Sequence, residues 1–193
     1  MAYRHYQTTG FVIGHLARGE ANRLYQVLTP DFGLIFVLAQ GVRLEKSKLR
    51  YNLQNYCLAN FDLVRGKEFW RLTGAEKVSL TNSAQTVFLG KIGVILLRLI
   101  HGELASEIIF SDLKQVWELL ANREEKFTPS QLENLEIFFL IRLLANLGYL
   151  APSPATVPIL ALTNFTPADL SQISSHRVAL IKIINTSFVA SGL

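Results

Sequence analysis

Cysteine is nearly absent from this 193-residue sequence: the single Cys57 rules out a disulfide within the chain and any multi-cysteine zinc site. In its apolar context Cys57 reads as a small buried hydrophobe. Catalytic signatures are missing too. There is no glycine-rich phosphate loop followed by Lys-Ser/Thr, no dinucleotide-binding glycine fingerprint and no Gly-x-Ser-x-Gly elbow. His5, His15, His101 and His176 stand apart, without the spacing of metal ligands. The paired carboxylates Glu124-Glu125 and Glu133/Glu136 fall on helix ends and faces, where solvated charge is the ordinary explanation. Nothing points to an enzyme, a cofactor or a bound metal. The first ten residues are polar and do not resemble a signal peptide. The longest charge-free run, 143 to 168, is broken by Gly148, Pro152, Pro154, Pro158 and Pro167, so no helix crosses a bilayer through it. No membrane partner and a cytoplasmic location are the expectation.

Charge is sparse, at 18%, against 50% hydrophobic residues, which leaves ample material for a core and little room for long disorder. It is also unevenly placed. The first 80 residues carry 11 Lys and Arg against 6 Asp and Glu, whereas residues 81 to 193 carry 8 against 9. The net +4 therefore belongs to the first part. This asymmetry predicts two modules: a basic one at 1–80 that meets a polyanion, and a roughly neutral one at 81–193 that is structural or binds protein.

Residues 9 to 80 read as short strands and turns. A strand is expected at 10–15, a turn at 18–22, and a second strand at 23–29. The turn Thr29-Pro30-Asp31-Phe32-Gly33 leads to a third strand at 34–39. A second hairpin is expected from 60–64 and 68–73, with the basic tip Arg65-Gly66-Lys67. Five short strands with glycine turns suggest a small closed barrel, with a small sandwich as the competing architecture. Beyond residue 81 the period becomes helical. The stretch 87–107 is apolar on nearly every side and reads as a buried core helix. A helix at 111–122 takes Ser111 as its N-cap, with Asp112 in its first turn. Thr128-Pro129-Ser130-Gln131 has capping-box spacing and opens a helix that stops at Gly148. The segment 151–167 is irregular, and Thr166-Pro167-Ala168-Asp169 starts a last helix ending near 184.

Residues 41 to 54 are the most informative stretch. Five of the first ten positions are charged and four of them, Arg43, Lys46, Lys48 and Arg50, are basic. A mobile basic segment between strands is a means of meeting a phosphate backbone, because bound cations release condensed counterions. The alternative is a solvated linker that serves solubility.

Several motifs follow one another in order: Gly19-Glu20-x-x-Arg23-Leu24, Thr29-x-x-x-Gly33, Gly41-x-Arg43, Ser47-x-Leu49-Arg50 and Leu53-Gln54. Arg65-Gly66-Lys67, Leu72-Thr73-x-Ala75-Glu76 and the run from Phe139 through Leu143-Leu144 to Gly148-Tyr149 come after them. Together these ordered motifs resemble the RecO family of bacterial DNA repair. Two departures and one minor change stand out. Many members carry a four-cysteine zinc ribbon after the Gly-Tyr helix, and here 151–167 has no cysteine. The chain is also short for the family, and Asn55 stands where a proline is expected. The resemblance implies an N-terminal OB-fold followed by an all-helical domain. It implies binding of single- and double-stranded DNA, strand annealing, and work with RecR to load RecA onto strands coated by single-stranded DNA-binding protein, with no covalent chemistry. It also implies that the helical domain receives that protein's acidic, apolar-ended C-terminal tail, and a cytoplasmic, nucleoid-associated location.

On this reading Arg43, Lys46, Lys48, Arg50, Arg65, Lys67 and Arg71 hold phosphates. Trp70, Phe69 and Phe36 are the candidates to stack bases. Core packing is favoured for Phe36, and the adjacent Phe69 and Trp70 must face opposite sides of a strand. Arg98 and Arg142, embedded in apolar helices, are the candidates for the rim of a tail-binding pocket, set against pairing with Glu136 or Glu103. Two other functions stay open: a protein-interaction adaptor built on the helical part, and an RNA-binding barrel unrelated to repair.

Overall fold

The computed structural model of the chain describes residues 4–78, 81–121 and 127–192. Contacts divide it into two compact units, Met1–Glu107 and Ile108–Leu193. The expected boundary at residue 80 follows the change of period and lies outside the described residues; packing groups the first long helix with the strands.

In the first unit, β1 (His5–Arg18), β2 (Asn22–Thr29), β3 (Gly33–Ala39), β4 (Leu58–Arg65) and β5 (Trp70–Lys77) close into a barrel in the order β1-β2-β3-β5-β4. This is the OB-fold barrel, not a sandwich. β1 is far longer than the strand expected at 10–15. Its first half, His5 to Phe11, pairs with β4, and Phe11 to Arg18 pairs with β2, with a register shift between Val12 and Gly14. One bent strand thus serves two neighbours, as closure requires. Its polar ends carry no apolar period, so only the middle was legible. Gly10 lies in that middle because a Cβ there would sit 2.5 Å from Val27 Cγ1.

The basic connection between β3 and β4 is no free linker. Val42, Leu53 and Cys57 are buried in the barrel core with Tyr25, Val37 and Trp70. A one-turn helix, α1 (Leu49–Asn52), lies beside β5, where Asn52 Nδ2 donates to the Ala75 carbonyl at 3.0 Å. Burial pushes the Cys57 thiol up, as its reading as a core hydrophobe implies.

α2 (Ser83–Leu99) starts from an Asn82–Gln85 capping box that the sequence reading passed over. It is not buried all round. Phe88, Leu89, Ile92, Leu96 and Leu99 face inward at helical spacing, while Val87, Val94 and Arg98 are exposed. The helix ends at Leu99, and 100–106 is irregular.

The second unit holds α3 (Glu107–Ala121), α4 (Pro129–Asn146), α5 (Val157–Leu160) and α6 (Pro167–Ser191). α3 begins four residues before its expected cap at Ser111. Asp112 is therefore interior, where a buried ion pair rather than a helix terminus uses its charge. The Thr128–Gln131 capping box opens α4 as expected. A Thr166–Asp169 box opens α6, which runs to Ser191 rather than 184. Among the described residues no helix is long and apolar enough to cross a membrane.

Candidate nucleic-acid interface

β3 sorts its side chains by strand alternation. Ile35, Val37 and Ala39 enter the barrel core, which turns Phe36 outward, where it is 38% exposed. The expectation that Phe36 packs inside is thus corrected. Gln26 of β2 lies opposite Phe36, and Arg71 of β5 lies beside Leu38 in parallel register. The outer β2–β3 face therefore offers one aromatic ring with polar and cationic neighbours.

Trp70 is the reverse case. It pairs with Val37, points inward, and is only 3% exposed. Its ring packs edge-on to Tyr6 at 5.2 Å and tilted against Phe32 at 4.7 Å. The ring offered for base stacking is core, and its neighbour Phe69 is the one nearer the surface, half-buried under the Arg18 guanidinium at 4.7 Å.

The cations do not form one patch. Arg43 is exposed but tied to the β1–β2 turn: its backbone N–H donates to the Ala21 carbonyl and Nη1 to the Gly19 carbonyl, both at 3.0 Å. Arg18, at the end of β1, reaches Glu68 in the β4–β5 tip at 3.6 Å. The turn, the start of the basic connection and the tip thus gather at one end of the barrel, bringing Arg18, Arg43 and the exposed Lys67 together. Arg18 was overlooked in the sequence, where it reads only as part of a turn. Arg71 is exposed and makes no ion pair among the described residues; the same holds for Lys46 and Arg50. Lys48 is elsewhere, lining a groove of about 750 Å³ with Asn60, Asp62 and Glu76 on the β1–β4–β5 wall. Arg65 stacks on Trp70 at 4.6 Å and is paired with Glu103.

In the helical unit Arg142 cannot stand at a rim. It is 8% exposed, and its Nε and Nη2 each donate to one oxygen of Asp112 at 2.8 Å. Nη1 donates to the carbonyls of Ile159 and Leu162, so the guanidinium also anchors the turn after α5. Its partner is Asp112, not the expected Glu136. Arg98, on the first unit, is exposed at the end of α2 and makes no ion pair among the described residues; Glu103 has gone to Arg65. A cation beside an apolar notch occurs instead at Lys182, which with Tyr149, Leu150, Ile183 and Ala190 lines about 290 Å³. A larger cavity of about 520 Å³, walled by Phe138, Pro158, Ile159, Leu162 and Leu180, has His176 and Asp169 but no Lys or Arg in its lining.

Among the described residues no three His, Cys, Asp or Glu side chains converge as metal ligands. The expected outcome of adding a chelator is an unchanged melting temperature, and elemental analysis should find no stoichiometric zinc. One zinc per chain would overturn this.

Comparison with known proteins shows what the sequence is similar to. Residues 1–81 match the family described as "Recombination protein O N terminal". The chain is 32% identical over 145 residues to the DNA repair protein RecO of Dehalococcoides mccartyi strain CBDB1, covering 75% of this chain and 56% of that protein. It is 40% identical over 73 residues to the RecO of Synechocystis sp. PCC 6803, 38% of this chain and 27% of that one. The RecO of Acetivibrio thermocellus is 26% identical over 149 residues, 74% of this chain and 57% of its own length. The chain thus spans about half the length of the curated relatives it matches over most of its residues.

Proposed function

Because this chain belongs to the RecO family, we propose that it is a non-enzymatic DNA repair and recombination mediator. It binds single- and double-stranded DNA through the barrel, anneals complementary strands and, with RecR, helps load RecA onto strands coated by single-stranded DNA-binding protein. One observation carries the reading: Phe36 on β3, Arg71 on the adjoining β5, and Arg43, Lys67 and Arg18 in the flanking turns are presented on and around the β2–β3 face, the surface on which OB barrels hold oligonucleotides. The cations neutralise phosphates and the ring stacks a base.

The test is a salt-dependent titration with single-stranded DNA and, in parallel, RNA. Changing Arg43, Lys67 and Arg71 together to Ala should flatten the slope of log K against log salt by about 0.7 per lost contact. Adding Lys46→Ala and Arg50→Ala flattens it further, whereas Lys48→Ala, beside Asp62 and Glu76, changes it least. A folded triple variant with the parental slope refutes the interface. Equal binding of RNA and no annealing favours the RNA-binding alternative. A chain that binds neither polymer favours the adaptor.

The tail of single-stranded DNA-binding protein is the proposed partner of the Lys182 notch, since an apolar end beside a free carboxylate needs an apolar seat with a cation at its edge. Lys182→Ala should weaken an acidic, apolar-ended peptide by about tenfold in fluorescence anisotropy, the worth of one charge-assisted hydrogen bond. Arg98→Ala should leave it unchanged. The opposite pattern returns the tail to α2.

A further inference from the structure

Trp70 is packed in the barrel core, yet its Nε1–H is aimed outward at Glu103 Oε1, 3.1 Å away. The other carboxylate oxygen of Glu103 takes Nη1 of Arg65. Arg65 lies 4.6 Å over the Trp70 ring and faces Trp70 across the β4–β5 ladder, so the two donors are held in fixed relation. They are arranged to receive two oxygens of one anion. The side chains of Arg65 and Glu103 are 52% and 40% exposed, so an anion can exchange here without opening the core.

We infer that Arg65 and the Trp70 indole N–H form an oxyanion seat for a nucleic-acid phosphate, filled in the resting protein by Glu103 of the same chain. This rests on the nucleic-acid reading above. A phosphodiester presents two non-bridging oxygens to such a pair much as a carboxylate does, and an arginine fork suits both. The indole N–H needs only an acceptor, which a neutral amide or a carbonyl supplies equally well. The full charge of Glu103 does something more: it cancels Arg65 on a module whose other cations largely stand exposed. The carboxylate arrives on the irregular segment 100–106, and the next residue seats that segment on the barrel. Gly33, at φ +66°, lies so close to Leu104 that a Cβ would fall 2.2 Å from the Leu104 carbonyl oxygen. Phosphate must displace Glu103 to take both donors of the seat, so the segment acts as an internal competitor. It lowers affinity for short or weakly held strands and yields to a strand already held by the neighbouring cations.

The experiment compares the whole chain with Glu103→Gln, Arg65→Gln and the double variant. Glu103→Gln keeps an acceptor for the indole. Each is titrated with labelled single-stranded oligothymidylate across a range of salt. Glu103→Gln should bind about threefold or more tightly at low salt, with a slope steeper by about 0.7, the signature of one added phosphate contact. Arg65→Gln alone should change little, and should abolish the gain when combined with Glu103→Gln. Glu45→Gln, which removes an exposed acid elsewhere, should reproduce neither effect. In ¹H–¹⁵N spectra the Trp70 indole resonance should move when oligothymidylate is added. A gain that survives Arg65→Gln, or a parent and three variants binding with one affinity and one slope, overturns the seat and leaves the interface standing. Failure of every variant to bind DNA overturns the interface itself, and the seat with it.

Discussion

Arg142→Ala should cost the helical unit about 3–5 kcal/mol, the penalty for leaving a buried charge without its partner. Asp112 and Arg142 are both buried and joined by two parallel hydrogen bonds of 2.8 Å. Removing the guanidinium strands the carboxylate in the interior. It also leaves the carbonyls of Ile159 and Leu162 without their donor, so the turn after α5 loses its anchor. The urea midpoint of the helical transition should fall by more than about 1 M, or the unit should be unfolded at the outset. The double change Asp112→Leu with Arg142→Met should recover most of the loss, because an apolar pair of similar volume leaves no charge to desolvate. Arg142→Lys should fall between, keeping the charge and losing the fork. An Arg142→Ala protein that melts with the parent would show that the pair contributes nothing, and would return Arg142 to the list of available cations.

Trp70→Ala and Phe36→Ala should have opposite consequences. The first empties a packed site against Tyr6 and Phe32 and removes the donor that meets Glu103, at a cost of about 3–5 kcal/mol. Any loss of DNA binding then follows from loss of fold or of the indole donor, not from a lost stacking ring. Phe36 stands on the outside of β3, so its truncation should move stability by only about 0.5 kcal/mol. It should weaken single-stranded DNA by about 1–3 kcal/mol, the worth of one stacked base. Thermal melts and titrations on the same preparations separate the two. A stable Trp70→Ala protein with weakened binding, beside a silent Phe36→Ala, would reverse the assignment of the stacking ring.

Much of this protein is carried by short-range rules, and those parts were legible in the sequence. The turns at 18–22 and 29–33, the apolar run of β3, the basic hairpin tip, the capping box at Thr128 and the helix start at Thr166 depend on residues within a few positions of one another. Five strands and a change of period near residue 80 were enough for the choice of a barrel followed by helices. The full length of β1 was not legible, because its polar ends are strand only through pairing with β4 and β2. The start of α3 was misplaced for a related reason: Ser111 and Asp112 look like a helix cap, and only a partner 30 residues away makes Asp112 interior.

The candidate site divides the same way. That the first module is basic was plain from composition. Which cations are available was not, since Arg65 is paired with Glu103, Lys48 lines a separate groove with Asp62 and Glu76, and Arg142 is held by Asp112. Phe36 and Trp70 differ in role through barrel closure alone, which sets one ring outside and the other within. Charge and periodicity are properties of residue type and spacing, so a sequence holds them outright. Pairing across 30 or more residues, and the face a side chain takes, belong to the packed chain and were decided only there.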